Sequence, residues 1–154
     1  MYDDFNKDLE RGKRGEKLFE ETLTAIGHTV IDLRDNAEAR SKDIDFRVLL
    51  KNGNVATVEV KTDDKSQYTG NLFIEYANTN NISHNYMGWY KYCEADFYTF
   101  VQIEKRKAHL VSRDELENLI KTNKFRTASS YNACGFLVPL NNITTLESYH
   151  CFNM

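Results

Sequence analysis

Apolar residues at Phe5, Leu9, Phe19, Leu23 and Ile26 recur at helical spacing, with Gly12 and Glu16 on the same stripe. The spacing predicts a helix over residues 5–26, and Gly27 supplies its C-terminal stop. His28–Arg34 then reads as a strand and the polar run Asp35–Lys42 as a loop. Asp43–Val48 and Val55–Asp64 alternate with period two on either side of Lys51-Asn52-Gly53-Asn54. An Asn-Gly between two apolar runs predicts a hairpin. Thr69-Gly70-Asn71 reads as a turn, Leu72–Tyr76 as a third strand, Ala77–Asn85 as an exposed loop and Tyr86–Tyr92 as a short helix crossing the sheet. Ala95–Val101 reads as a largely buried fourth strand, running on to Ile103 to pair with Ala108–Val111. Asp96, at its entrance, reads as a turn or capping residue. Ser112-Arg113-Asp114-Glu115 has capping-box spacing and opens a helix that runs to Thr122. In the tail, Phe136–Leu140 reads as an edge strand and Ile143–Tyr149 as a short helix. No repeat, low-complexity tract or Pro/Gly-rich linker divides the 154 residues, and Pro139 is the sole proline. A single domain over residues 1–154 follows, large enough for a sizeable core.

The hairpin carries the candidate chemistry. A strand sends alternate side chains to opposite faces, so Glu59 and Lys61 project together, away from Val58 and Val60. Closing the hairpin brings Asp43 or Asp45 beside them. Two carboxylates and an ammonium on one polar face can form a metal site suited to phosphodiester hydrolysis. The competing reading is a solvated strand face with a cross-strand ion pair. Glu16 sits on the apolar stripe of the first helix, where a carboxylate needs a partner, and a metal supplies one. Glu20, one turn later, falls toward the edge of the stripe.

Asp, then a hairpin, then Glu-x-Lys resembles the core of the PD-(D/E)xK nuclease superfamily, over roughly residues 8–102. Lys42 stands where the family name has proline. Glu-Val-Lys-Thr-Asp followed by Thr-Gly-Asn-x-x-x-Glu is also similar to runs in phage nucleases of that group. The resemblance implies a restriction-endonuclease-like α/β fold, an αβββαβ core with a central mixed sheet of four to five strands flanked by helices. Residues 103–154 would be a C-terminal extension. It implies a metal-dependent DNA endonuclease that uses Mg²⁺, with Mn²⁺ able to substitute, and leaves a 5′-phosphate. The ligands it implies are Asp43, Glu59, the carbonyl of Val60 and Glu16; Asp43 precedes Asp45 because Asp-Ile directly after the loop matches the family position. Lys61 would orient the attacking water or stabilise developing charge. Asp45, Glu20 and Glu75 are the alternatives or neighbours of that site. Relatives that cut both strands commonly act as homodimers, so the resemblance admits one, although no heptad marks an interface.

Composition alters this picture little. The net charge is −3, from 20 Lys plus Arg against 23 Asp plus Glu, so DNA binding must rely on local clusters. Lys13, Arg14 and Lys17, with Lys7 and Arg11, form one on the first helix; Lys105–Lys107 and Lys121, Lys124, Arg126 are others. Cys93, Cys134 and Cys151 lack paired spacing, and His28, His84, His109 and His150 are scattered, which argues against a disulfide framework and a zinc site and gives a His-based centre no support. No apolar run reaches membrane-spanning length and the N-terminus lacks a signal-peptide pattern, so the expected location is cytoplasmic and no membrane partner is expected. No phosphate-binding Gly-x-x-x-x-Gly-Lys loop is present. Two readings compete with the enzyme: a non-cleaving module that binds nucleic acid or protein on the same scaffold, and a structural adaptor.

Overall fold

The computed structural model describes residues 2–154. Helix α1 (Tyr2–Ala25) crosses one face of a six-stranded sheet. That sheet runs β1 (Thr29–Asp32), β2 (Phe46–Leu49), β3 (Val55–Thr62), β5 (Phe97–Gln102), β6 (Lys107–Ser112), β9 (His150–Asn153) in spatial order. Neighbours are antiparallel except β3 and β5, which are parallel. Phe19 and Leu23 of α1 pack on Phe46, Val48, Val58 and Val60, the inward halves of the alternating strands. Gly15 lets the helix approach: a Cβ there would lie 2.1 Å from Thr62 Oγ1. The short helices α2 (Ala37–Ser41) and α3 (Ser66–Thr69) precede β2 and follow β3.

The opposite face is covered by a three-stranded antiparallel sheet, β4 (Asn71–Asn78), β8 (Ala133–Pro139) and β7 (Thr127–Ser129), in the order β4-β8-β7. Helices α4 (Trp89–Tyr92), α5 (Arg113–Thr122) and α6 (Leu140–Ile143) complete this layer. Leu72, Ile74, Trp89, Tyr98, Phe100, Leu116 and Val138 form its core. Among the described residues no helix is long and apolar enough to cross a membrane.

A mixed central sheet flanked by helices matches the expected α/β class, but several details differ. The central sheet has six strands, not four to five, because the segment after residue 149 forms β9 on the β6 edge. Residues 143–149 contain only the end of α6 and turns. The third strand, β4, leaves the central sheet and pairs with β8; β8 is therefore the middle of a second sheet and not an edge. Its other partner, Thr127–Ser129, is too short and polar to register as a strand in the sequence. β2 begins at Phe46, so Asp43 and Asp45 precede the ladder and are not period-two neighbours within a strand. The loop 35–42 contains α2, capped by Asn36 Oδ1, which accepts from Ala39 N–H at 2.9 Å. Ser112 caps α5 as expected, accepting from Glu115 N–H, yet the Glu115 carboxylate turns to Ser148 instead of closing the box.

Candidate active site

β3 places Glu59 and Lys61 on the face away from α1. Glu59 is 4% exposed, and Lys61 Nζ lies 2.8 Å from its Oε1. The same ammonium is 2.9 Å from Asp43 Oδ2 and sits 5.2 Å above the Trp89 ring centre. Glu59 Oε2 is buried, and among the described residues no N–H or O–H group donates to it. Asp45 stands opposite Glu59, held to β3 twice: its N–H donates to Val58 O at 3.1 Å, and its Oδ2 accepts from Val60 N–H at 2.9 Å. Asp43 adopts a left-handed backbone, φ 55°, and its carbonyl accepts from Cys93 Sγ.

Burial pushes Asp45 up to about 6, helped by the charge of Glu16 and opposed by the Val60 N–H and Lys61. Burial also raises Glu59 well above the carboxylate range, with Asp43 and Asp45 adding to it against Lys61. Burial works against the Lys61 ammonium, but Glu59 and Asp43 outweigh it and hold it charged. One cation thus serves two carboxylates, while Asp45 has the Val60 N–H and a side-chain hydrogen bond with Glu59.

A second group lies on the α1 side. Arg34, just past β1, bonds Asp32 Oδ2 at 2.7 Å, Glu16 Oε2 at 3.0 Å and Glu20 Oε2 at 3.4 Å. A cleft of about 720 Å³ joins the two groups and is lined by Glu16, Asp43, Asp45 and Glu59, with Arg34 at the side. Lys13 and Lys17 from α1 and Arg40 from α2 also line it. Arg14 is exposed on α1 and is not among the lining residues. Glu20 is not among the lining residues and pairs with Arg34, which is one of them. Glu75, on β4, feels the charges of Lys61 and Asp43 but bonds neither; burial raises it, and Asn78 Nδ2 donates to it.

Sequence reasoning missed Arg34 and Arg40. Asp32-x-Arg34 is a period-two pair and a legible hint, since both would share a strand face; nothing in the sequence singles out Arg40. The other acids near the motif are structural. Asp63 accepts from Ser66 and Phe73 N–H, Asp64 from Ile103 N–H, and Asp96 from Thr57 N–H and Oγ1.

Among the described residues no three His, Cys, Asp or Glu side chains are gathered at ligand spacing. Lys61 pairs with Asp43 and Glu59, Arg34 pairs with Glu16, and the Asp45 and Glu59 side chains share a hydrogen bond. The side chains are of the type that Mg²⁺ or Mn²⁺ takes, hard oxygens with a carboxylate majority, and the Oε2 of Glu59 is a buried acceptor with no donor among the described residues.

No family model and no curated protein matches this sequence. The fold is similar to the solved structure of a bacterial homing endonuclease, I-Ssp6803I. The likeness has a TM-score of 0.52 at 16% identity, covering 83% of this chain and 76% of that one. At that identity the likeness is one of fold: the chain shares its architecture with a homing endonuclease.

Proposed function

We propose that this protein is a metal-dependent DNA endonuclease of the PD-(D/E)xK type. The observation that carries the reading is the buried Oε2 of Glu59, which no described group donates to, in a carboxylate that lines the cleft, faces Asp45 and gives its other oxygen to Lys61. An acceptor in that position costs free energy unless a proton or a cation meets it. The shared architecture with a homing endonuclease supports the choice of DNA as substrate.

Asp45, Glu59, Glu16 and the Val60 carbonyl would hold the ion. Asp43, the ligand that the resemblance puts first, shares the Lys61 ammonium with Glu59, whereas Asp45 faces Glu59 while bonded to a backbone N–H, which favours Asp45 for the place beside Glu59. When bound, Mg²⁺ or Mn²⁺ supplies charge to a non-bridging phosphate oxygen and acidifies water. Lys61 is charged and so donates: it orients the attacking water and steadies the charge that grows on the phosphate, with Asp43 fixing its position. Lys13 and Lys17 on one wall and Arg40 on the other would take the flanking phosphates.

Thermal unfolding in rising Ca²⁺ tests the metal reading. Wild type should gain stability through linkage, and Glu59→Gln should lose the gain. An equal gain in both would place the cation elsewhere.

A further inference from the structure

Arg34 has no role in the chemistry just described, yet it is the best-satisfied cation of the cleft. Its Nε and terminal nitrogen grip both oxygens of Asp32, at 2.9 and 2.7 Å. The other terminal nitrogen takes Glu16 Oε2 at 3.0 Å, and Glu20 lies at 3.4 Å. The guanidinium stands over the Phe46 ring at 5.0 Å. One positive charge therefore holds three carboxylates, two from α1 and one from β1. The Arg34 hydrogen bond to Glu16 goes to Oε2, not to Oε1. Lys61 does the same for Asp43 and Glu59 on the far side. Between these two clusters lie Asp45 and the orphaned Glu59 Oε2.

We propose that Arg34 is a positioning residue and built-in counter-ion: it holds Glu16 by one oxygen in the metal-free protein and competes with the divalent cation for that carboxylate. The inference rests on the metal reading above. Its physical basis is charge. Without Arg34, Glu16, Glu20 and Asp32 repel one another across the junction of α1 and β1, and a divalent ion becomes the remaining positive charge that can draw Glu16 inward. With Arg34 in place, part of the ion's attraction for Glu16 is spent on displacing the guanidinium. Guanidinium geometry matters, because a lysine at this position cannot span both Asp32 oxygens and Glu16 together.

The test is a Ca²⁺ titration followed by calorimetry and thermal unfolding, on wild type, Arg34→Met, Arg34→Lys, Glu16→Gln, Glu59→Gln and the Arg34→Met/Glu16→Gln pair. Arg34→Met keeps the stem over Phe46 and removes the charge. It should lower the metal-free Tm, bind Ca²⁺ about fivefold tighter, on the scale of one partly exposed ion pair, and gain more stability at saturation. Adding Glu16→Gln should abolish the tightening. Arg34→Lys should fall between wild type and Arg34→Met, and it carries the comparison if Arg34→Met does not fold. Ca²⁺ affinity unchanged or weaker in both Arg34 variants would overturn the proposal and leave Arg34 as a strut between α1 and β1. Failure of the metal reading itself looks different: wild type and Glu59→Gln would then both ignore Ca²⁺, which overturns this inference together with its premise.

Discussion

Lys61 Nζ meets Asp43 Oδ2 at 2.9 Å, and Asp43 presents that oxygen from a left-handed backbone at φ 55°. The strained residue and the ammonium define one another: α2 and Cys93 hold the Asp43 backbone, and the backbone aims the carboxylate. Aspartate and asparagine tolerate this conformation better than other side chains with a Cβ. Asp43→Asn should therefore keep the turn and lose the charge, whereas Asp43→Ala should lose both. Urea unfolding should find Asp43→Ala less stable than Asp43→Asn by about 1 kcal/mol. Equal stability would mean that the positive φ is not enforced.

Gly15 and Thr62 set the distance between α1 and β3. A Cβ at residue 15 would meet Thr62 Oγ1 at 2.1 Å and Val101 Cγ1 at 3.5 Å. Gly15→Ala should cost about 1–3 kcal/mol by overpacking and displace the neighbouring Glu16 from the cleft. Thr62→Ala in the same chain removes the nearest clashing atom and should restore part of the loss. Denaturant midpoints of the two single variants and the double variant measure it; additive losses would contradict the packing account.

Two buried groups tilt stability with pH in opposite directions. Asp45, raised to about 6, binds its proton more tightly in the folded state than in the unfolded chain, so its contribution is present at low pH and lost as pH rises from about 4 to 6. His109 is lowered to about 4 by burial, with Lys107 and Lys105 adding to it. It stays neutral in a chain of bonds from Tyr149 to Gln102, so its contribution is present above its unfolded pKa and lost as pH falls from about 6.5 to 4. Asp45→Asn should therefore flatten the decline toward pH 6, and His109→Gln should flatten the acid limb. In the proposed site the cation would need ionised Asp45, so Ca²⁺ stabilisation in wild type should grow through pH 6. Thermal unfolding from pH 4 to 7 checks all three slopes, and an unchanged profile in Asp45→Asn would refute the raised pKa.

The hairpin was the most legible part of this chain. Asn52-Gly53 and period-two alternation place Glu59 and Lys61 on the face away from Val58 and Val60, and the structure has them there. Gly27 and the apolar stripe found α1, and Ser112 found α5. What the sequence hid depends on long-range pairing. β4 alternates like any strand, and nothing local says that it joins β8 across 55 or more residues and leaves β3. β9 and β7 are short, half-polar segments whose partners, β6 and β8, decide their state. The Asp43–Asp45 ambiguity had the same origin. Alternation puts both on one face only inside a strand, and the ladder begins after them, at Phe46.

The cleft's cations should be separable by salt. Lys13, Lys17 and Arg40 line it, while Arg14 projects from α1 outside it. In Ca²⁺, binding of duplex DNA by Lys17→Ala or Arg40→Ala should show a log–log salt slope smaller by about 0.9, the value for one lost phosphate contact. Arg14→Ala should keep the wild-type slope. Fluorescence anisotropy over a salt series reads this directly, and identical slopes in all variants would remove the cleft from the DNA path.

The most direct test of the central claim is cleavage of a mixed DNA panel (supercoiled plasmid, linear duplex, single strand, four-way junction and flap) in Mg²⁺ or Mn²⁺. Wild type would run beside Lys61→Ala and Glu59→Gln. The account predicts metal-dependent cutting in wild type, reduced on the order of 100-fold or more in both variants. Wild type that cuts no member of the panel, or cutting that survives both substitutions, would contradict it.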